Sequence, residues 1–326
     1  MKALQVTEFG PYAQHKVVEV DAPRIKPGHV RITIKAAGVN FPDILMVQGQ
    51  YQVKPHFPFI AGAECAGIIT EIGEGVKHLK AGQRVAALPG TGCFAEEAVV
   101  PAEICVPISD KMSFEEAAGF VMVYATSYHA LKDRANLKPG ETLLVLGAAG
   151  GVGLTAVELG KHMGLNVIAA ASTAEKLEVC KSYGADHGIN YVQEDLKARV
   201  REITGKGADI CYDPVGDKFA EPALRSLKWG GRYLVIGFAG GEIPKIAFNW
   251  MLLKELDVRG IHWGAWIPRN TQAHSENMSV LMQLYETGKI KPRVSATHKL
   301  ENFAEAMTAL SERRAMGKVV LSIAFG

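Results

Sequence analysis

Between residues 142 and 163 the chain passes from an apolar run, TLLVL, through a glycine-rich turn, GAAGGVG, into a segment whose apolar residues Leu154, Val157 and Leu159 recur at helical spacing. Thr142 to Leu146 therefore reads as a strand buried on both faces, and Val152 to Met163 as an amphipathic helix. The alternation of strand and helix holds from about residue 126 to 262. Strands are expected at 142–147, 166–171, 187–190, 208–212, 231–237 and 257–262, with helical patterns such as TAEKLEVCKSYG and AEPALRSLKW between them. Such a chain builds a doubly wound parallel α/β sheet of the Rossmann type, with ligands beyond the carboxyl ends of the strands. The stretch to about residue 120 differs: VRITIKAAGV, AECAGIITEIG, QRVAAL and FAEEAVVP are short strand-like runs broken at Pro27-Gly28 and Pro89-Gly90. After a helix expected at 271–287, the run GKVVLSIAF has too little company to stand alone and is expected to rejoin the first domain. The sequence thus implies a β-rich domain, 1–125 and 263–326, interrupted by a dinucleotide-binding domain, 126–262.

The turn between the first strand and its helix carries the pattern A-x-G-x-x-G at Ala148, Gly150 and Gly153. A turn of this kind presents backbone amides at a helix N-terminus, where the dipole favours a pyrophosphate, so Ala149, Gly150, Gly151 and Val152 are candidate cofactor contacts. A tight strand-to-helix turn with no ligand is the plain alternative. In dinucleotide folds that select NAD, an acid about 20 residues beyond the glycines takes the ribose hydroxyls. Here the second strand ends in Ala171-Ser172, and the first acid after it, Glu175, lies inside the next helix. Ser172 and Lys176 offer a hydroxyl and an ammonium instead, with Tyr191 closing the third strand, which favours NADPH over NADH. The plain reading of Lys176 is a solvated helix charge.

Length and composition narrow the class. With 326 residues, 48% of them hydrophobic, the chain can build two domains, and a net charge of +2 with scattered Lys and Arg argues against a nucleic-acid surface. No apolar signal core or membrane-spanning run is visible, which makes a cytoplasmic protein the expectation. The five cysteines are widely separated and contain no C-x-x-C pair, so buried reduced thiols are expected.

Several blocks in order, AGVNFPDILMVQGQY (37–51), GAECAGIITEIGEGV (62–76), ATSYHAL (125–131), LKPGETLLVLGAAGGVG (137–153), LRSLKWGGRYLVIGF (224–238) and GKVVL (317–321), give the whole chain a resemblance to a known family. It resembles the zinc-free, zeta-crystallin-like NADPH:quinone oxidoreductase branch of the medium-chain dehydrogenase/reductase superfamily. The resemblance implies that the β-rich domain is GroES-like. It also implies a homodimer in which the sixth strand, Asp257 to His262, pairs across a two-fold axis; cover by the 271–287 helix is the alternative. Zinc-dependent members of the superfamily place a Cys where Asn40 stands and a His where Ala63 precedes Glu64, and carry four structural cysteines absent here, so no metal is expected. Glu64 is then expected to be a buried, hydrogen-bonded structural acid.

Without a metal Lewis acid an alcohol is hard to oxidise, whereas an electron-poor quinone or conjugated carbonyl accepts hydride from NADPH readily. The resemblance places Asn40, Asp43 and Tyr51 in the catalytic pocket, Asn40 and Tyr51 as donors to a substrate oxygen and Asp43 orienting its neighbours, with Thr126 at the nicotinamide or its ribose. A turn at Asn40-Phe41-Pro42-Asp43 and an apolar lid at Tyr51 are the plain alternatives. Gly237 and Phe238, ending the fifth strand, and Trp263, beyond the sixth, fall at the ligand edge of the sheet, where packing is the alternative. His129 is expected to be a satisfied core histidine. Arg313, Arg314 and Lys318 reach cofactor phosphates or form a solvated helix end. The expected function is reduction of a quinone; an enoyl or alkenal reductase, and a non-catalytic NADPH-binding protein that is RNA-binding or crystallin-like, are the alternatives.

Overall fold

A computed structural model describes residues 1–323 and divides by contact into two units. Unit 1 comprises Met1–Met122 and the described residues from Pro292 onward; unit 2 is Val123–Lys291. Among the described residues no helix is long and apolar enough to cross a membrane.

Unit 1 contains β1 (Lys2–Val6), β2 (Lys16–Glu19), β3 (His29–Val39), α1 (Phe41–Val47), β4 (Phe59–Ile60), β5 (Glu64–Ile72), β6 (Arg84–Ala87), β7 (Glu97–Pro101), β8 (Cys105–Pro107) and α2 (Phe114–Ala118). The strand β3 organises it. Val30, Ile32 and Ile34 alternate with partly exposed residues, as one buried face requires, and from Ala36 onward every residue is buried because neighbours lie on both sides. β3 pairs antiparallel with β5 and with β7, and the strand that follows residue 317 pairs with its distal half, Val319 against Val39 and Ser322 against Ala36. Through this pairing GKVVLSIAF rejoins the first domain as expected over Val319–Ser322, while its last two residues, Ala324 and Phe325, lie outside the described residues.

Unit 2 runs through α3 (Val121–Tyr128, which begins two residues before the division), β9 (Thr142–Leu146), α4 (Gly151–His162), β10 (Asn166–Ala171), α5 (Ala174–Ser182), β11 (His187–Asn190), α6 (Leu196–Thr204), β12 (Ala208–Asp213), α7 (Ala220–Arg225), β13 (Leu227–Val235), α8 (Asn249–Lys254), β14 (Asp257–Gly260), α9 (Trp263–Trp266) and α10 (Thr271–Glu286). Its six strands are parallel in the order β11-β10-β9-β12-β13-β14, the doubly wound order whose switch point lies between β9 and β12. Continuous burial of β9, β10 and β12 explains why they read as unbroken apolar runs. β13 starts four residues before the expected 231, because a register irregularity after Ala208 lets Leu227 pair there. Residue 262 is also not where the contacts divide: Asn277 of α10 donates to Asp133 at 2.9 Å and accepts from Lys132 at 2.6 Å, holding the helix in unit 2.

The chain re-enters unit 1 with β15 (Val294–Lys299), α11 (Phe303–Ser311) and β16 (Lys318–Ser322), so that its main sheet runs β15-β16-β3-β5-β6-β8.

Candidate active site

In unit 2, β9 ends one residue before the glycine turn and α4 begins at Gly151. Gly150 occupies the N-cap with no side-chain hydrogen bond, which leaves the first-turn amides to a ligand or water. Gly153 is demanded by close approach: a Cβ there would lie 2.3 Å from Gly147 O and 2.9 Å from Ala148 Cα. Buried hydroxyls fix the turn from behind. Ser127 Oγ donates to Val152 O at 2.9 Å and shares hydrogen bonds of 2.8 Å with Thr155 Oγ1 and with Tyr212 OH. Such an uncapped, rigid cradle suits a pyrophosphate.

Two further segments flank the cradle in the sheet. Lys176 Nζ donates to Ser172 Oγ at 3.0 Å, so the hydroxyl and ammonium expected at the end of β10 are together, and Glu175 is exposed in the first turn of α5. Tyr191 packs with its ring centroid 4.4 Å from that of Phe219. At the end of β12, Asp213 Oδ1 accepts from the amides of Val215 and Gly216 at 2.7 and 2.8 Å, and its Oδ2 accepts from Tyr233 OH. Burial raises the Asp213 pKa against these donors. Asp213 escaped the sequence reading because an acid closing a parallel strand gives no sign of which amides it receives. Thr126, Gly237 and Phe238 are half-buried, and the Phe238 ring lies against Gly216. Trp263 is 6% exposed with His274 beside it at 5.6 Å, so its role is packing and not an open ligand face. His129 is a satisfied core histidine: its Nδ1 lies 2.9 Å from Asp133 Oδ2, its ring is 4.3 Å from Trp266, and burial lowers its pKa.

In unit 1, Asn40 caps α1 and meets β5 and β16. Asp43 Oδ2 accepts from the Asn40 backbone amide at 2.8 Å; Asn40 Nδ2 donates to Glu64 Oε1 at 2.9 Å and to Gly38 O at 3.4 Å. Lys318 Nζ donates to Asn40 Oδ1 and Glu64 Oε1, both at 2.6 Å, and to Val39 O at 3.3 Å. The Met122 amide donates to Glu64 Oε2 at 3.0 Å. Gly38 admits this cluster, since a Cβ there would stand 2.4 Å from Glu64 Oε1. Glu64 is thus the buried structural acid expected. Two other expectations are corrected. Both amide hydrogens of Asn40 are engaged within the protein, which leaves none for a substrate oxygen. Lys318 is 5% exposed in unit 1 with all three protons donated, so it neither contacts a phosphate nor forms a solvated helix end. Arg314 is exposed and paired with Glu312.

Asp43 is 2% exposed and its Oδ1 makes no well-aligned hydrogen bond. Burial pushes its carboxyl up to about 7, against the pull of the Asn40 amide and the Lys318 ammonium. A folded-state pKa above the unfolded one means that folding favours the protonated form, so this stabilisation is complete below about pH 4 and is lost as pH rises through about 7. Asp43→Asn removes the titration. Its stability relative to the parent is expected to improve by up to about 1.4 kcal/mol per pH unit across that window, measured by urea unfolding from pH 4.5 to 7.5; a pH-independent difference would refute the shift. Tyr51 is half-buried, and its hydroxyl makes no hydrogen bond within the described residues; burial first and Asp43 second raise its pKa.

Comparison with known proteins adds the family context. The family described as alcohol dehydrogenase GroES-like domain matches residues 26–110, and that described as zinc-binding dehydrogenase matches residues 151–282. Quinone oxidoreductase-like protein 2 of Bos taurus is 37% identical over 310 residues, covering 94% of this chain and 89% of its own. The human synaptic vesicle membrane protein VAT-1 homolog is 33% identical, with 98% and 86% covered. The crystal structure of Escherichia coli quinone oxidoreductase complexed with NADPH superposes with a TM-score of 0.93 at 30% identity, covering 99% of this chain and all of that one.

Proposed function

We infer the activity of this chain from its family, for it belongs to the quinone oxidoreductase branch of the medium-chain dehydrogenase/reductase superfamily: it is an NADPH-dependent oxidoreductase that passes hydride to a quinone without a metal. The observation that carries the reading is the ammonium of Lys318, hydrogen-bonded to Asn40, where zinc-dependent relatives keep a Cys, and to Glu64, next to Ala63 where they keep a His. A second cation has neither a free ligand set nor a favourable field there, which leaves an electron-poor acceptor as the substrate. Full turnover after exhaustive chelation is the matching expectation.

The cradle fits the dinucleotide. Ala149, Gly150, Gly151 and Val152 would hold the pyrophosphate, Ser172, Lys176 and Tyr191 the adenosine 2′-phosphate, and Thr126, Gly237 and Phe238 the nicotinamide end. When bound, NADPH supplies the hydride; with one proton from solvent this reduces a quinone to its hydroquinone. The chain positions the acceptor and steadies the charge that forms on its oxygen. Tyr51 is the donor for that oxygen, because its hydroxyl is unengaged while the Asn40 amide is not; Asp43 and Asn40 hold the turn that carries it.

Following NADPH absorbance with benzoquinones, naphthoquinones, alkenals and enoyl thioesters tests the reading. Turnover of quinones is expected; turnover of alkenals or thioesters alone moves the activity to conjugated carbonyls, and none with any acceptor overturns it. Lys176→Ala is expected to weaken NADPH binding about tenfold or more, since a charge-assisted phosphate contact is worth roughly 1.5 to 3 kcal/mol, and to leave NADH binding unchanged. An unchanged NADPH to NADH ratio removes Lys176 from the phosphate site.

The partner is a second copy of this chain. Among the described residues β14 pairs with β13 alone, its Val258 is 45% exposed, and Asp257 and Arg259 flank that residue so that an antiparallel mate centred on Val258 sets opposite charges face to face. Val258→Pro removes a ladder donor and is expected to convert dimer to monomer by light scattering at micromolar concentration. A parent mass near 35.2 kDa contradicts the pairing.

A further inference from the structure

We propose that Lys318 is a positioning residue of the reductive site: its buried ammonium serves as the built-in cation that fixes Asn40 and Glu64 and sets the charge state in which Asp43 stands behind the acceptor. The proposal rests on the reductase reading above for its catalytic consequence, and on geometry for the rest.

Three features point this way. The ammonium is directional, with its protons divided between Val39 O, Asn40 Oδ1 and Glu64 Oε1, which come from the end of β3, the cap of α1 and the start of β5. A mobile or solvated lysine would not bring these three segments to a common point. Asp43 leans on the same point, because its Oδ2 is held by the backbone amide of the residue whose side chain receives Lys318. Its Oδ1 is buried without a well-aligned donor, the Ala63 amide being the least of the groups that act on the carboxyl, so this atom can carry the proton when the group is neutral.

The charges facing Asp43 oppose one another. Lys318 on β16 favours the carboxylate and Glu64 on β5 disfavours it; Tyr51, following α1, and Cys93, between β6 and β7, are the other titratable groups within range. The net effect of Lys318 is to keep the Asp43 proton exchangeable near neutrality in spite of burial. A fixed ammonium does this without a ligand set that must be filled, and its charge does not depend on metal supply.

The test uses the carboxylic-acid infrared band assigned to Asp43 by its absence in Asp43→Asn, titrated in the parent, Lys318→Met, Lys318→Arg and Glu64→Gln. The midpoint is expected to rise by about one pH unit or more in Lys318→Met, to fall in Glu64→Gln and to stay near the parent in Lys318→Arg. Opposite shifts for partners in one ion pair are the signature of charge, since loss of packing would move both variants alike. If Lys318→Met does not fold, Glu64→Gln decides alone, and a midpoint that stays or rises overturns the proposal. The pH profile of kcat/KM with quinone should shift in the same directions. Infrared shifts with no quinone turnover would refute the reductase reading and leave the role of Lys318 standing, whereas turnover with unmoved midpoints would do the reverse.

Discussion

Gly153→Val is expected to weaken NADPH binding by about one to two orders of magnitude. The added Cβ meets backbone, Gly147 O at 2.3 Å and Ala148 Cα at 2.9 Å, so no side chain can swing aside and the turn itself must open. Overpacking of this kind costs about 1 to 3 kcal/mol, and every 1.4 kcal/mol taken from the binding-competent turn is tenfold in affinity, so a loss of roughly 5- to 150-fold is expected in a fluorescence titration. Gly264→Ala is the control. A Cβ there meets nothing within 4 Å, and binding should match the parent. Equal affinity in Gly153→Val would mean that the turn does not cradle the dinucleotide.

Lys318→Met should produce the largest loss of stability of any single change in unit 1. Removing one partner of a buried ion pair leaves the other uncompensated, here Glu64 at 1% exposure, and costs about 3 to 5 kcal/mol, which corresponds to roughly 6 to 20 °C in the melting of unit 1. Adding Glu64→Gln removes the stranded charge while keeping one acceptor oxygen, enough for Asn40 Nδ2 or the Met122 amide but not both, so the double variant should melt above Lys318→Met. A double variant no more stable than the sum of the two single losses would show that the pair is not coupled.

The strand order of unit 2 was legible because parallel strands with two covered faces are written as unbroken apolar runs separated by helical patterns, and the glycine turn because its residue types answer a steric demand. The limits of that legibility are equally physical. Lys318 reads as an ordinary charge beside VVL, and only the arrival of Glu64 and Asn40 from across the sheet makes its burial possible. Asn40 reads as an available donor because a sequence shows what a side chain can offer and not what already receives it. The placement of α10 was equally hidden, resting on Asn277, Lys132 and Asp133, whose partnership no local pattern records.

The separation of 254 residues between Glu64 and Lys318 has a consequence for biosynthesis. At about 5 to 20 residues per second, a ribosome needs roughly 13 to 50 s to deliver the lysine after the glutamate has been made. Throughout that interval β3 lacks β16 along its distal half and Glu64 lacks Lys318, and by its end the last strand of unit 2, which closes at Gly260, has been made while unit 1 is still incomplete. The part begun first is thus the last to receive its final strand, and a nascent chain halted just before residue 318 carries all six strands of the unit 2 sheet together with a β3 whose distal half is unpaired on the β16 side.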